Sequence, residues 1–143
     1  MTSSGELSPR LRMVTVRLYR LLRQQADPES DLSQNLISAL ATINQGGPIT
    51  LGRLAELERV QPPSMTRIVA KLEERGLVRR EIDAADRRIA RVQVTPEAVS
   101  VLGELRSRRT EFLAARLAAL TPAEMAALEA ALPALERLAG VVE

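Results

Sequence analysis

Ser64, Arg67 and Lys71 stand three and four residues apart, interleaved with Met65, Ile68, Val69 and Leu72 at the same steps. On a helix this spacing sorts polar and apolar residues onto opposite faces. The polar face then carries a hydroxyl, a guanidinium and an ammonium. An arginine offers two parallel donors that fit the acceptor edge of a guanine in a major groove about 12 Å wide. Pro63 and Ser64 lie at the N-terminal end of that segment, where backbone N–H groups can face a phosphate. A second basic group follows: Arg87 and Arg88 share a polar run with Asp83 and Asp86. Paired arginines suit phosphates or a narrow minor groove. The two aspartates could equally pair with them and fix a loop.

Other chemistries are poorly served. The 143 residues include no Cys and no His, which removes the usual nucleophile–base triads, thiolate and imidazole metal ligands, disulfides and thiol redox switches. Ser64 has no base near it in sequence. Asp83 and Asp86 are too few for a hard-cation site, and the neighbouring arginines oppose one. No Gly-rich phosphate loop is present. Neither an enzyme nor a metal or cofactor protein is expected. No apolar run approaches the length of a membrane span. The first seven residues do not resemble a signal peptide. A cytoplasmic location is expected, nucleoid-associated when bound to DNA.

The elements that must position these residues can be read from periodicity. Leu11, Val14, Leu18, Leu21 and Leu22 predict a helix over 9–25, stopped by Asp27-Pro28. A second helix is expected over 32–44, capped by Ser30 or Asp31 and ended by Gly46-Gly47-Pro48. Thr50 can cap a short helix reaching Leu57. Residues 58–61 form a turn, and Pro62-Pro63 open a helix that continues to Arg75, with Gly76 just beyond it. Val78–Ile82 and Ile89–Thr95 then read as strands around a polar loop. Thr95 caps a long helix from Pro96. Thr121-Pro122-Ala123-Glu124 starts a last one, which Pro133 should kink or split.

The fold class is therefore mainly α with a small β-hairpin wing: a winged helix-turn-helix flanked by terminal helices. Two short helices and a tight turn place the second helix for the groove, and the hairpin carries Arg87 and Arg88 to its tip. Net charge is only +2, so charge distribution must carry the argument. Residues 79–91 hold five arginines against three acids, whereas 110–143 hold two arginines against five glutamates. Of the 20 basic residues 19 are Arg, as nucleic-acid contacts favour and as a GC-rich genome would also produce.

The order helix, turn, helix, Gly, strand, charged loop, strand resembles the MarR family of bacterial transcriptional regulators. The sharpest stretch runs from Leu54 to Thr95, and within it LEERGLVRR and DAADRR are the most specific words. Two positions depart from the family's habit: Ala84 stands where Pro often follows the first wing Asp, and Thr95-Pro96-Glu97-Ala98 lacks an early Gly. The resemblance implies a homodimer on double-stranded DNA at a pseudo-palindromic operator. It implies recognition-helix contacts from Pro63, Ser64, Thr66, Arg67 and Lys71. In the wing Arg87 and Arg88 approach DNA, and Asp86 braces or orients it. Three regions are expected: an N-terminal dimerisation helix over 1–30, the winged domain over 31–95 and C-terminal dimerisation helices over 96–143. The resemblance further implies a repressor released by a small aromatic or phenolic effector held between the dimerisation and DNA-binding regions. Met13, Arg17 and Tyr19 are its candidate lining. A winged-helix protein–protein adaptor and a constitutive repressor without an effector stand as the alternatives.

Overall fold

In a computed structural model, residues 3–25 and 32–141 are described. The chain divides into two compact units, Met1–Arg108 and Arg109–Glu143.

Seven elements lie wholly in the first unit, and all but the first strand follow the expected order. They are α1 (Ser4–Arg23), α2 (Gln34–Gly46), β1 (Ile49–Thr50), α3 (Leu51–Glu58), α4 (Pro62–Glu74), β2 (Val78–Ile82) and β3 (Ala90–Val94). The helix α5 (Pro96–Leu117) begins in this unit, and α6 (Pro122–Ala139) lies in the second. Thr50 Oγ1 accepts from Arg53 N–H at 3.2 Å, and Thr95 Oγ1 from Ala98 N–H at 3.3 Å, so both expected caps form.

The core of the first unit is the apolar set that the periodicities isolate. Leu36, Leu40 and Ile43 of α2 pack with Leu54 of α3, Met65, Val69 and Leu72 of α4, Val78 and Val92 of the hairpin, and Leu102 of α5. All are buried. Strand β3 is central, between β1 and β2, and both pairings are antiparallel. Val78 stands opposite Val94 and Arg80 opposite Val92, while Arg79 faces Gln93 and Glu81 faces Arg91. Opposed residues share a face. Val78, Val92 and Val94 therefore lie on one side of the hairpin together with the exposed Arg80, and Arg79, Glu81, Arg91 and Gln93 on the other. The alternation expected for β3 holds, while β2 is exposed beyond Val78.

Four expectations change. Helix α1 starts at Ser4, five residues before Pro9. Ser3 caps it and its N–H donates to Glu6 Oε2 at 3.3 Å, so Pro9 lies inside the helix at the cost of one hydrogen bond. Helix α2 is capped by Ser33, whose Oγ accepts from Leu36 N–H at 3.4 Å. Ser30 and Asp31, the expected caps, lie outside the described residues, as does the Asp27-Pro28 stop. Pro133 does not split α6, which is continuous from Pro122 to Ala139 and held at both ends by a Thr121–Glu124 capping box and a left-handed Gly140. Finally, β1 was not expected. Ile49 and Thr50 pair with Val92 and Arg91 and close the hairpin into a three-stranded sheet.

Candidate nucleic-acid interface

The turn between α3 and α4 is set by Arg59, which adopts the left-handed conformation at φ 54° and ψ 44°. Its N–H and that of Val60 close onto the Glu56 and Ala55 carbonyls at 3.2 and 3.0 Å. Glu58, the last residue of α3, ties the turn to α2. Ser38 Oγ donates to its Oε2 at 2.7 Å, and Thr42 Oγ1 donates to its Oε1. Sequence reasoning passed over Glu58, because its partners lie sixteen and twenty residues away.

Helix α4 begins with Pro62 and Pro63, which have no N–H to leave unsatisfied. Its buried side is Met65, Val69 and Leu72, with Ile68 half-buried. Pro63, Thr66, Arg67, Ala70 and Lys71 are exposed, and Ser64 is half-buried. Arg67 and Lys71 make no ion pair or side-chain hydrogen bond with any other described residue. Thr66 Oγ1 donates back to the Pro62 carbonyl at 3.0 Å. Thus the five recognition-helix candidates all lie on α4, four of them fully outward.

The wing tip is built on two aspartates. Asp83 Oδ1 accepts from the N–H groups of Ala85 and Asp86 at 2.8 and 3.0 Å, and its Oδ2 from Arg91 Nη1 at 2.6 Å. The Arg91 hydrogen bond and then the two backbone donors lower its pKa from 3.8 to about 2. Asp86 takes Arg88 in a fork: Nε to Oδ1 and Nη2 to Oδ2, each at 3.0 Å, with Arg88 N–H on Oδ1 as well. Those hydrogen bonds lower the Asp86 pKa too, with the Arg88 side chain the larger cause. The Arg88 side chain is nevertheless 89% exposed.

The aspartate pairing expected as one alternative forms for Arg88 but not for Arg87, and Asp83 takes Arg91 instead. Arg79 pairs with Glu81 at 3.7 Å, Arg80 with Glu73 of α4 at 2.5 Å, Arg88 with Asp86 and Arg91 with Asp83. Arg87 alone among these five wing arginines has no carboxylate partner among the described residues. Among the described residues no group of three or more His, Cys, Asp or Glu is placed for a metal, and no helix is long and apolar enough to cross a membrane.

The effector candidates do not converge. Met13 and Arg17 line one shallow groove along α1 with Val16, Arg20 and Leu21. Tyr19 lies six residues from Met13, about 240° around the helix, with its ring beneath the Arg23 guanidinium at 5.4 Å. Arg23 Nε donates to Gln34 Oε1 at 3.3 Å, and Gln34 Nε2 to the Arg23 carbonyl at 2.9 Å. Tyr19 thus sits beside the junction of α1 with α2.

Comparison with known proteins decides what this helix-turn-helix and wing belong to. The model of the MarR family matches residues 32–90, which run from the start of α2 through the wing loop. An HTH-type transcriptional regulator of Mycobacterium tuberculosis is 39% identical over 129 residues, 90% of each chain. The chain belongs to the MarR family. It is a DNA-binding transcriptional regulator of that family rather than an enzyme. The MarR fold extends beyond the matched segment. The RV1404 protein of Mycobacterium tuberculosis superposes with a TM-score of 0.80 at 24% identity, covering 98% of this chain and 97% of its own. A mutant of Staphylococcus aureus MepR, bound to an oligodeoxyribonucleotide, superposes with a TM-score of 0.70 at 19% identity, covering 95% and 98%.

Proposed function

We propose that the protein is a homodimeric repressor of a pseudo-palindromic operator, with α4 of each protomer in a major groove and Arg87 of each wing on the adjoining phosphates or minor groove. The observation that carries this reading is the pairing pattern. Arg67, Lys71 and Arg87 are cations without partners among the described residues, in a region whose other wing arginines are neutralised in place. The oligodeoxyribonucleotide complex of MepR, on the same fold, supports it. The dimer is supported by two helices that bury no residue, α1 and α6. Each exposes large apolar side chains, Met13, Val14 and Leu18 on the first and Leu128, Leu132 and Leu138 on the second. Such surface calls for a partner.

Release by a small aromatic or phenolic effector belongs to the same reading. Met13 and Arg17 on α1 offer it a thioether and a guanidinium. Tyr19, at the α1–α2 junction, lies apart from that groove and would serve a separate contact. An effector must bind the free and DNA-bound conformations with different affinity to act.

Binding of the purified protein to short duplexes at moderate salt tests the reading. Saturable binding to an inverted repeat by a particle near twice 15.7 kDa is expected. A folded protein with no duplex affinity would indicate the adaptor. Operator binding untouched by a panel of aromatic carboxylates and phenols would indicate a constitutive repressor.

A further inference from the structure

The outward face of α4 carries more than its two cations. Taking 100° per residue, Pro63, Thr66 and Ala70 fall within about 60° of one another, on the side of the exposed face where Thr66 lies about 60° from the buried Val69. All three are exposed. They form a row of apolar groups along one flank of the exposed face, with Arg67 nearer its centre. Thr66 belongs to that row because of what its hydroxyl does. The hydroxyl donates its single proton to the Pro62 carbonyl at 3.0 Å. With Oγ1 turned back onto the helix, the γ-methyl is the part of this exposed side chain that no intrahelical hydrogen bond engages. Thr66 therefore offers a major groove a methyl, and its hydroxyl proton is already used.

In the major groove only thymine, among the four bases, presents a methyl of its own. We infer that the Pro63–Thr66–Ala70 row reads thymine C5-methyl groups, with Thr66 at its centre, beside a guanine held by Arg67. The operator half-site is then one or two thymines next to a guanine, and Thr66 is a specificity-determining residue acting through its methyl. This rests on the DNA-binding reading above. It goes beyond it by naming the chemistry that the helix reads.

The test starts from duplexes selected by the purified full chain from a random pool. Thymines in the selected half-site are replaced one at a time by deoxyuridine, which removes only the methyl and leaves Watson–Crick pairing intact. Burying a methyl against apolar surface corresponds to about fourfold in affinity. At least one deoxyuridine should therefore weaken wild-type binding about fourfold per half-site, and 5-methylcytosine should be favoured over cytosine at that position. Thr66→Ser keeps the hydroxyl and loses the methyl, so it should bind the thymine and deoxyuridine duplexes equally. Thr66→Val keeps a methyl and loses the hydroxyl, so it should retain the preference. Far-ultraviolet circular dichroism and melting confirm that both variants fold. Tight selected duplexes whose deoxyuridine forms bind the wild type unchanged would overturn the thymine reading while leaving DNA binding intact. The same holds for a preference that survives in Thr66→Ser and vanishes in Thr66→Val, which would assign reading to the hydroxyl. A folded wild-type chain that selects no duplex would overturn both.

Discussion

Arg80 of the first wing strand donates from Nε to Glu73 Oε1 in the last turn of α4, at 2.5 Å. The pair links the hairpin to the helix that would enter the groove. Because it is about one-third exposed, its contribution to stability is modest, about 0.2–1 kcal/mol. Removing it would free the first wing strand from the last turn of α4. The double variant Glu73→Ala/Arg80→Ala should lose affinity for a selected duplex and keep the wild-type salt slope, since a neutral pair is removed. A salt titration checks this. A slope lower by about two, as for a dimer, would mean that Arg80 leaves Glu73 for a phosphate.

Arg87 and Arg88 are adjacent and differ in state. Arg87→Ala should weaken binding to specific and scrambled duplexes alike and lower the salt slope by about two for a dimer. Arg88→Ala should change the slope less, because Asp86 already balances that charge. Salt titrations of both variants on both duplexes separate them, and equal slope changes would refute the distinction.

Arg67→Ala should cost about 1–3 kcal/mol for each guanine it no longer holds and relax preference at one symmetric pair of positions. Lys71→Ala should weaken all duplexes evenly. Single-position variants of the selected duplex provide the measurement. An intact sequence preference in Arg67→Ala would remove its base-reading role.

Acid should loosen the wing in a defined window. The folded pKa of Asp83, about 2, lies below its ordinary 3.8. A depressed carboxylate pKa means stabilisation that is complete above the ordinary value and is lost as pH falls through the folded one. Wing order should thus hold down to about pH 4 and decay between pH 4 and 2. Carbon-detected NMR titration of the Asp83 carboxyl should find a midpoint near 2. Asp83→Asn should loosen the wing at neutral pH and flatten this acid transition. A wild-type midpoint at 3.8 would dissolve the Asp83–Arg91 tie.

Arg59 holds a left-handed backbone that costs an L-residue about 1–2 kcal/mol. Gly would relieve that cost and add back about 0.5–1 kcal/mol of unfolded-chain entropy. Arg59→Gly should therefore raise stability by about 0.5 kcal/mol in urea unfolding, with the turn unchanged. A loss of stability would show that the Arg59 side chain contributes more than its backbone costs.

Most of the elements could be read from the sequence because their signals are local. Thr50, Thr95 and Thr121 announce helix starts within four residues, and the alternation Ala90, Val92, Val94 fixes which side of β3 meets the helices. What escaped depends on register or on a missing marker. Strand β1 has two residues, too few to show a period. Arg59 does what Gly or Asn usually announces. The exposed face of α4 was legible from spacing alone, since Arg67 and Lys71 fall away from the buried Met65 and Leu72. The pairing of the wing charges was not. Arg80 meets Glu73 rather than Glu81, and Asp83 meets Arg91 rather than Arg87, through the placement of strand, helix and loop.

Four of the five wing arginines come with their own counter-charge. A regulator in a cell shares its time between one operator and a genome of decoys, and a wing full of free cations would hold it on every stretch of duplex it met. With most of that charge cancelled in place, random sequence offers little to detain this wing. The hairpin can be rich in arginine and still let the molecule go. On the proposed reading, discrimination is then left to α4, and the fraction of protein idling on irrelevant DNA is set by Arg87 together with Arg67 and Lys71.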